Sequence, residues 1–218
     1  MSRPVIVVVG AGPGVSGSVA RRFADEGYDV ALLGQDQQVL DDLVPGLEER
    51  GATVGHAVAD VTDVEAARDA VRRFGEHTGR IDVLHFNPSA FREKDALTLT
   101  VPELLEDVAL GVGALLTVVQ AARPFMSEGG RISVTGSMAA DDPWEGAASL
   151  GVQKAGVRNL VVSLDKSLAP DGIRAVSVTV HGALAREGAF TPDRVAESIW
   201  SAVARDPAEW TSEAHHRG

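Results

Sequence analysis

Val5-Ile6-Val7-Val8-Val9-Gly10-Ala11-Gly12-Pro13-Gly14-Val15-Ser16-Gly17 is the stretch that decides the fold. Its first five residues are all β-branched, which suits extended backbone better than helix. The run stops at Gly10, and a helical pattern opens at Val15. A strand that passes through glycines into a helix N-terminus builds an anion site. Glycine lets the backbone approach a pyrophosphate, and the first helical N–H groups point at it. Gly12, Gly14 and Gly17 meet the G-x-G-x-x-G spacing literally, while the frame that starts at the strand end uses Gly10, Gly12 and Gly14. Gly10, Gly12 and Gly14, with Val15 and Ser16 at the helix start, are the candidate phosphate-binding residues. A tight strand-to-helix turn without a ligand uses the same residues, so the surroundings must decide between the two.

Outward from this turn, apolar runs and amphipathic stretches alternate to the end of the chain. Strands are expected at Val5–Val9, Val30–Leu33, Thr53–Val58, Val83–Phe86, Arg131–Thr135 and Ala175–Val180. Helices are expected near Val15–Glu26, Gln37–Arg50, Val64–His77, Val101–Met126, Ala148–Leu168 and Pro192–Arg205. The strands are nearly continuous in apolar residues, as in a parallel sheet covered on both faces. Strict β-α alternation with short connections predicts an α/β fold: one Rossmann-type, doubly wound parallel sheet of six or seven strands, flanked by helices, in a single domain over 1–218. Only the tail beyond Pro207 breaks the pattern; Glu209–Ala214 reads as a last edge strand.

Composition narrows the function classes. The chain of 218 residues is 44% hydrophobic and 23% charged, with a formal net charge of −11 and no cysteine. The acidic balance argues against nucleic acid as a partner, because phosphate backbones need a basic face. The lack of cysteine excludes disulfides, thiolate nucleophiles and cysteine-held metals. No metal site is read; His215-His216 is expected to be a frayed tail. No apolar run reaches the roughly 18 residues of a membrane span, and the glycine loop stands where a leader would have its cleavage site. The expectation is a cytoplasmic protein that acts on a small molecule, with no membrane partner.

The whole pattern resembles the short-chain dehydrogenase/reductase family. That family's motif after the first strand is G-x-x-x-G-x-G; Gly10 and Gly14 match it, and Ser16 replaces the last glycine. Asp60-Val61 after the third strand matches the family's adenine-holding Asp-Val pair, and Asp60 also suits a cap for the following helix. At the end of the second strand the family places an acid for NAD or a base for NADP. This chain has Gly34-Gln35-Asp36, with Gln35 in the arginine's place, so the cofactor reads as NADP(H) or NAD(H), leaning to NADP(H).

The resemblance implies an active site of Asn, Ser, Tyr and Lys. Ser137 and Lys154 fall in register with two of them. Leu150 stands where the tyrosine belongs and Ala109 where the asparagine belongs; the single tyrosine, Tyr28, lies at the start of the second strand. Asn87-Pro88-Ser89-Ala90 replaces the usual Asn-Asn-Ala-Gly, and His181-Gly182 replaces the usual Pro-Gly. Asn87 and Gly182 are therefore placed against the cofactor together with Lys154, whose retention without its tyrosine suits ribose binding. These departures resemble a divergent branch of the family. His181, with an ordinary pKa near 6.5, is the candidate substitute proton donor, alongside the alternative of a contact to the nicotinamide amide or solvent. Ala139–Glu145 offers acids and an aromatic wall over the site. The short His181–Phe190 segment leaves no substrate lid, so the pocket is expected to be open. Three readings follow: an NAD(P)-dependent oxidoreductase with non-standard proton transfer, a catalytically silent dinucleotide-binding sensor or scaffold, and a non-redox enzyme that reuses the pocket. A homodimer or homotetramer is expected through Val101–Met126 and Ala148–Leu168, where Gly111, Gly113, Ala114, Ala155 and Gly156 allow close approach.

Overall fold

The computed structural model describes residues 3–218; Met1 and Ser2, part of the chain start read above, lie outside the described residues. Seven parallel strands form one sheet in the order β3-β2-β1-β4-β5-β6-β7. They are β1 (Val5–Val9), β2 (Asp29–Gly34), β3 (Val54–Val58), β4 (Val83–Phe86), β5 (Arg131–Ser137), β6 (Arg174–Val180) and β7 (Glu213–His216). The helices are α1 (Val15–Asp25), α2 (Gln37–Glu48), α3 (Val64–Thr78), α4 (Val101–Val108), α5 (Ala114–Ala122), α6 (Ala148–Leu168) and α7 (Pro192–Val203). Alternation of side chains along each strand feeds two cores. Val7, Leu84 and Ile132 meet α3, α5 and α6 through Val71, Leu115 and Val161. Ile6, Val8 and Val83 meet α1, α2 and α7 through Phe23, Leu40 and Ile199. Strand order reverses between β1 and β4, which opens a crevice at the carboxyl ends of the strands, where such sheets take their ligands.

Local chemistry sets the helix boundaries. Thr100 and Glu103 form a reciprocal capping box at the start of α4, with Pro102 in its first turn. Asp63 accepts from the Glu65 and Ala66 N–H groups at the start of α3, and Gly79 ends it with φ 72°. Thr191 caps α7 ahead of Pro192.

Four expectations change. The last strand is Glu213–His216 rather than Glu209–Ala214, and Pro207–Glu209 forms a short 3₁₀ turn before it. His215 and His216 are therefore part of the sheet and not a frayed tail; His216 is buried, and its Nδ1 pairs with Ser198 Oγ at 2.8 Å. The single helix expected over Val101–Met126 is α4, a π-helical turn at Ala109–Gly113, α5 and a 3₁₀ turn at Arg123–Phe125. Val101–Phe125 as a whole is long and apolar enough to cross a membrane, but Leu115, Val118, Val119 and Ala122 are buried in the sheet core. β3 is an edge strand with Gly55, His56 and Val58 exposed, so it is not covered on both faces.

Candidate functional site

The glycine turn divides its labour. Gly10 sits at φ 75°, in the left-handed region, and a Cβ there would come within 2.8 Å of the Pro88 ring on the loop after β4. Gly17 lies against the Gly12 carbonyl, 2.6 Å from where its Cβ would be, so it lets the helix close onto the turn. At Gly12 and Gly14 a Cβ would meet nothing within 4 Å. That open space lies at the N-terminus of α1, where no side chain caps the helix and the first-turn N–H groups have no intrahelical acceptors. Val15 and Ser16 are buried in that turn. The Ser16 hydroxyl accepts from the Gly12 N–H at 3.0 Å and donates to the Gly12 carbonyl at 3.3 Å, bracing the turn from inside.

Beside the turn lies a cleft of about 320 Å³ lined by Gly10, Ala11, Gly34, Gln35, Val61 and Pro88, among others. Small-molecule pockets begin at about this size. Val61 forms its buried floor. A Cβ on Gly34 would lie 3.0 Å from both the Ala11 carbonyl and Leu40, so any side chain at that position would be crowded. Asp36 instead caps α2, accepting from the Val39 N–H at 3.2 Å. Asp60 accepts from the Thr62 N–H and hydroxyl, both at 2.8 Å. Those bonds, with a further one from Gln35, hold its carboxyl below the ordinary range. Asp63 and not Asp60 caps α3, so the helix-cap reading of Asp60 is corrected: its carboxylate closes the turn onto Thr62 just before the helix.

The second half of the crevice is built by β4, β5 and α6. Lys154 is only 6% exposed, and its Nζ donates to the Thr135 carbonyl at 2.9 Å. No carboxylate answers it, and burial lowers its pKa to about 8. Ser137 ends β5 half-buried, its hydroxyl accepting from the Ala139 N–H at 3.2 Å. Leu150 is half-buried one helical turn before Lys154 on α6, and Ala109 is exposed at the start of the π turn. Asn87 follows β4 with its N–H on the Val9 carbonyl, which places it at the same edge as Gly10. Tyr28 packs edge-on against Phe23 and Trp200 at the opposite, N-terminal edge of the sheet.

His181 leaves the end of β6 with its N–H on the His216 carbonyl, and its Nε2 pairs with His215 Nδ1 at 2.9 Å. Burial, with the charges of Arg217 and His215, holds it below the ordinary imidazole value. Gly182 packs under the Phe190 ring, which a Cβ would strike at 2.6 Å. Sequence reading missed four parts of this edge. His215 enters only because β7 docks. Gln153, fully buried next to Lys154, bonds both backbone groups of Ala90. The Arg92–Asp107 pair ties the loop after β4 to α4. His85 is buried within β4 beside Ser133, and burial lowers its pKa to about 3. Adjacency to Lys154 was the one available signal for Gln153; isolated polar residues gave none for the others.

The model of the short chain dehydrogenase family matches residues 4–185 of this sequence. The chain belongs to the short-chain dehydrogenase family. Among family relatives, the oxidoreductase UcpA of Salmonella typhimurium is 30% identical over 178 residues, covering 79% of this chain and 66% of that protein. Sulfoacetaldehyde reductase 2 of Chromohalobacter salexigens is 28% identical over 178 residues, covering 80% and 70%. A short chain dehydrogenase from Burkholderia cenocepacia, solved in complex with NADP, superposes with a TM-score of 0.88 at 27% identity over 97% of this chain and 95% of that one.

Proposed function

We propose that this chain is an NAD(P)-dependent oxidoreductase that prefers NADP(H) and moves its proton without the family's tyrosine. The observation that carries the reading is the open backbone at Gly12 and Gly14 beside the cleft lined by Gly34, Gln35 and Val61. In this reading the α1 N-terminus takes the pyrophosphate, Asp60 and Val61 take the adenine, and Lys154 takes the nicotinamide ribose. Crowding at Gly34 leaves no acid to repel a 2′-phosphate, and the Burkholderia relative's complex with NADP supports the same cofactor. The bound dinucleotide supplies the hydride chemistry; the chain supplies placement and proton handling. Ser137 orients the substrate oxygen, and His181 stands at the same strand edge as the proton donor. Leu150 and Ala109 carry no proton and no amide, which favours a second reading: a silent dinucleotide-binding protein, or a non-redox enzyme in the same pocket.

We also place the protein in the cytoplasm as a homodimer or homotetramer, joined along α4–α5 and α6. Exposed Leu105, Leu116 and Val152 support that face. Gly111 and Ala114 do not contribute to it, since Gly111 packs on Gln153 and Ala114 on the sheet.

The test is NADPH oxidation with simple ketones in wild type, Leu150→Tyr and His181→Ala. A general acid is worth on the order of 10²–10⁴ in rate, so Leu150→Tyr gains at least about tenfold if Ser137 and Lys154 are already placed. His181→Ala loses native turnover while NADPH affinity holds. No gain and no loss, with NADPH still bound, selects the second reading.

A further inference from the structure

The loop after β4 is extended, and its alternate residues are tied down. Ala90 is held on both backbone groups by Gln153, at 2.9 and 3.2 Å. Arg92 grips Asp107 with two bonds of 3.0 and 2.9 Å. The Lys94 carbonyl accepts from the Ala148 N–H at 3.0 Å, and its Nζ reaches Glu103 at 2.5 Å. Between these anchors Phe91 points outward and is 61% exposed. The loop after β5 brings Trp144, 52% exposed, to the same place. A Cβ on Gly146 would lie 2.5 Å from the Trp144 ring, so the indole rests on bare backbone. The two rings are 12° from parallel with centroids 6.2 Å apart, at the long end of the aromatic pairing range. Exposed apolar side chains are ordinary when scattered singly. Here two large rings are aligned, and one is fixed by a buried carboxylate and a buried amide.

The pair stands on the two loops that leave β4 and β5 at the carboxyl edge, the edge where Ser137 ends its strand. Met138, next in chain to Ser137, and Leu184, in the loop after β6, are exposed at the same edge. Arg92, Lys94 and Arg158, the cations bonded into these loops, are each taken by a carboxylate: Asp107, Glu103 and Asp141. In the two loops that carry Phe91 and Trp144 each of these cations is thus paired, and the rings offer π-faces and apolar surface. We propose that Phe91 and Trp144 are specificity-determining residues, and that the substrate is a carbonyl compound bearing a planar apolar group, an aryl or conjugated ketone or aldehyde. This rests on the oxidoreductase reading and names the substrate class for that site.

The experiment is calorimetry on the full chain loaded with NADP+, titrated with acetophenone and with cyclohexyl methyl ketone. A ketone with the oxidised cofactor forms a dead-end complex, so turnover is not needed. The two probes match in size and differ in planarity. Aromatic pairing adds about 0.5–1.5 kcal/mol beyond area, so acetophenone binds roughly two- to twelvefold tighter. Trp144→Leu and Phe91→Leu erase that margin and leave NADP+ affinity unchanged, while Trp144→Phe keeps it. Equal binding of the two ketones overturns the inference, as does a margin that survives both leucine variants. If NADP+ itself does not bind the wild type, the oxidoreductase reading falls and this inference falls with it.

Discussion

Lys154→Met makes the protein more stable at neutral pH. The ammonium is buried with one neutral acceptor, the Thr135 carbonyl, and no carboxylate. Burial lowers its pKa from 10.5 to about 8. The folded state thus carries a charge that the unfolded chain carries more easily, at a cost of about 3 kcal/mol below pH 8. Methionine of similar length removes that cost and forfeits one hydrogen bond worth about 1 kcal/mol, leaving a net gain of about 2 kcal/mol at pH 7. Between pH 8 and 10.5 the unfolded chain holds the proton that the folded one has lost, so wild-type stability rises with pH in that window. The charge cost falls to about 1 kcal/mol by pH 9.5, and the variant's advantage vanishes. Urea unfolding followed by circular dichroism at pH 7 and pH 9.5 measures both ends. A variant that is no more stable at pH 7, or whose advantage persists at pH 9.5, refutes the reasoning. A lysine kept at such a cost is a mark of function rather than packing.

Gly10→Ala forces a side chain into the left-handed region and against Pro88; it lowers unfolding free energy by at least about 2 kcal/mol, read from the urea midpoint. His85 is buried neutral with its pKa lowered to about 3. The unfolded chain takes up its proton as pH falls below 6.5 and the folded chain does not, so stability drops by about 3 kcal/mol between pH 7 and pH 4 from this residue alone. His85→Met flattens that acid limb by the same amount, and an unchanged limb refutes the assignment.

Most of the sheet was legible because its strands are long apolar runs, and the glycine turn was legible because strand, turn and helix follow one another without a gap. β7 begins four residues and ends two residues later than expected because Glu213-Ala214-His215-His216 carries no apolar run. Its place is fixed by pairing with Ser177–Val180 and by Trp210, whose Nε1 donates to Asp165 at 3.0 Å. The break at Ala109–Gly113 was hidden for a similar reason: Ala-Leu-Gly-Val-Gly fits an apolar helix face, and the packing of Gly111 on Gln153 is tertiary. On the candidate site, residues carried by a chain motif could be named from the sequence, such as Gly10, Asp60 and Lys154. Residues that act through distant partners were not: Phe91 needs Trp144, and Arg92 needs Asp107.

Dinucleotide binding at the glycine turn is the central claim, and Gly12→Val tests it most directly. The new Cβ meets no atom of the protein within 4 Å, and an unchanged melting temperature checks that the variant folds as the wild type does. The same space is where the pyrophosphate must lie. Calorimetric titration with NADPH and NADH is predicted to show binding to the wild type, tighter for NADPH, and at least about a tenfold loss in Gly12→Val at unchanged melting temperature. Equal NADPH affinity in the two proteins, or no binding of either nucleotide to the wild type at millimolar concentration, contradicts the account.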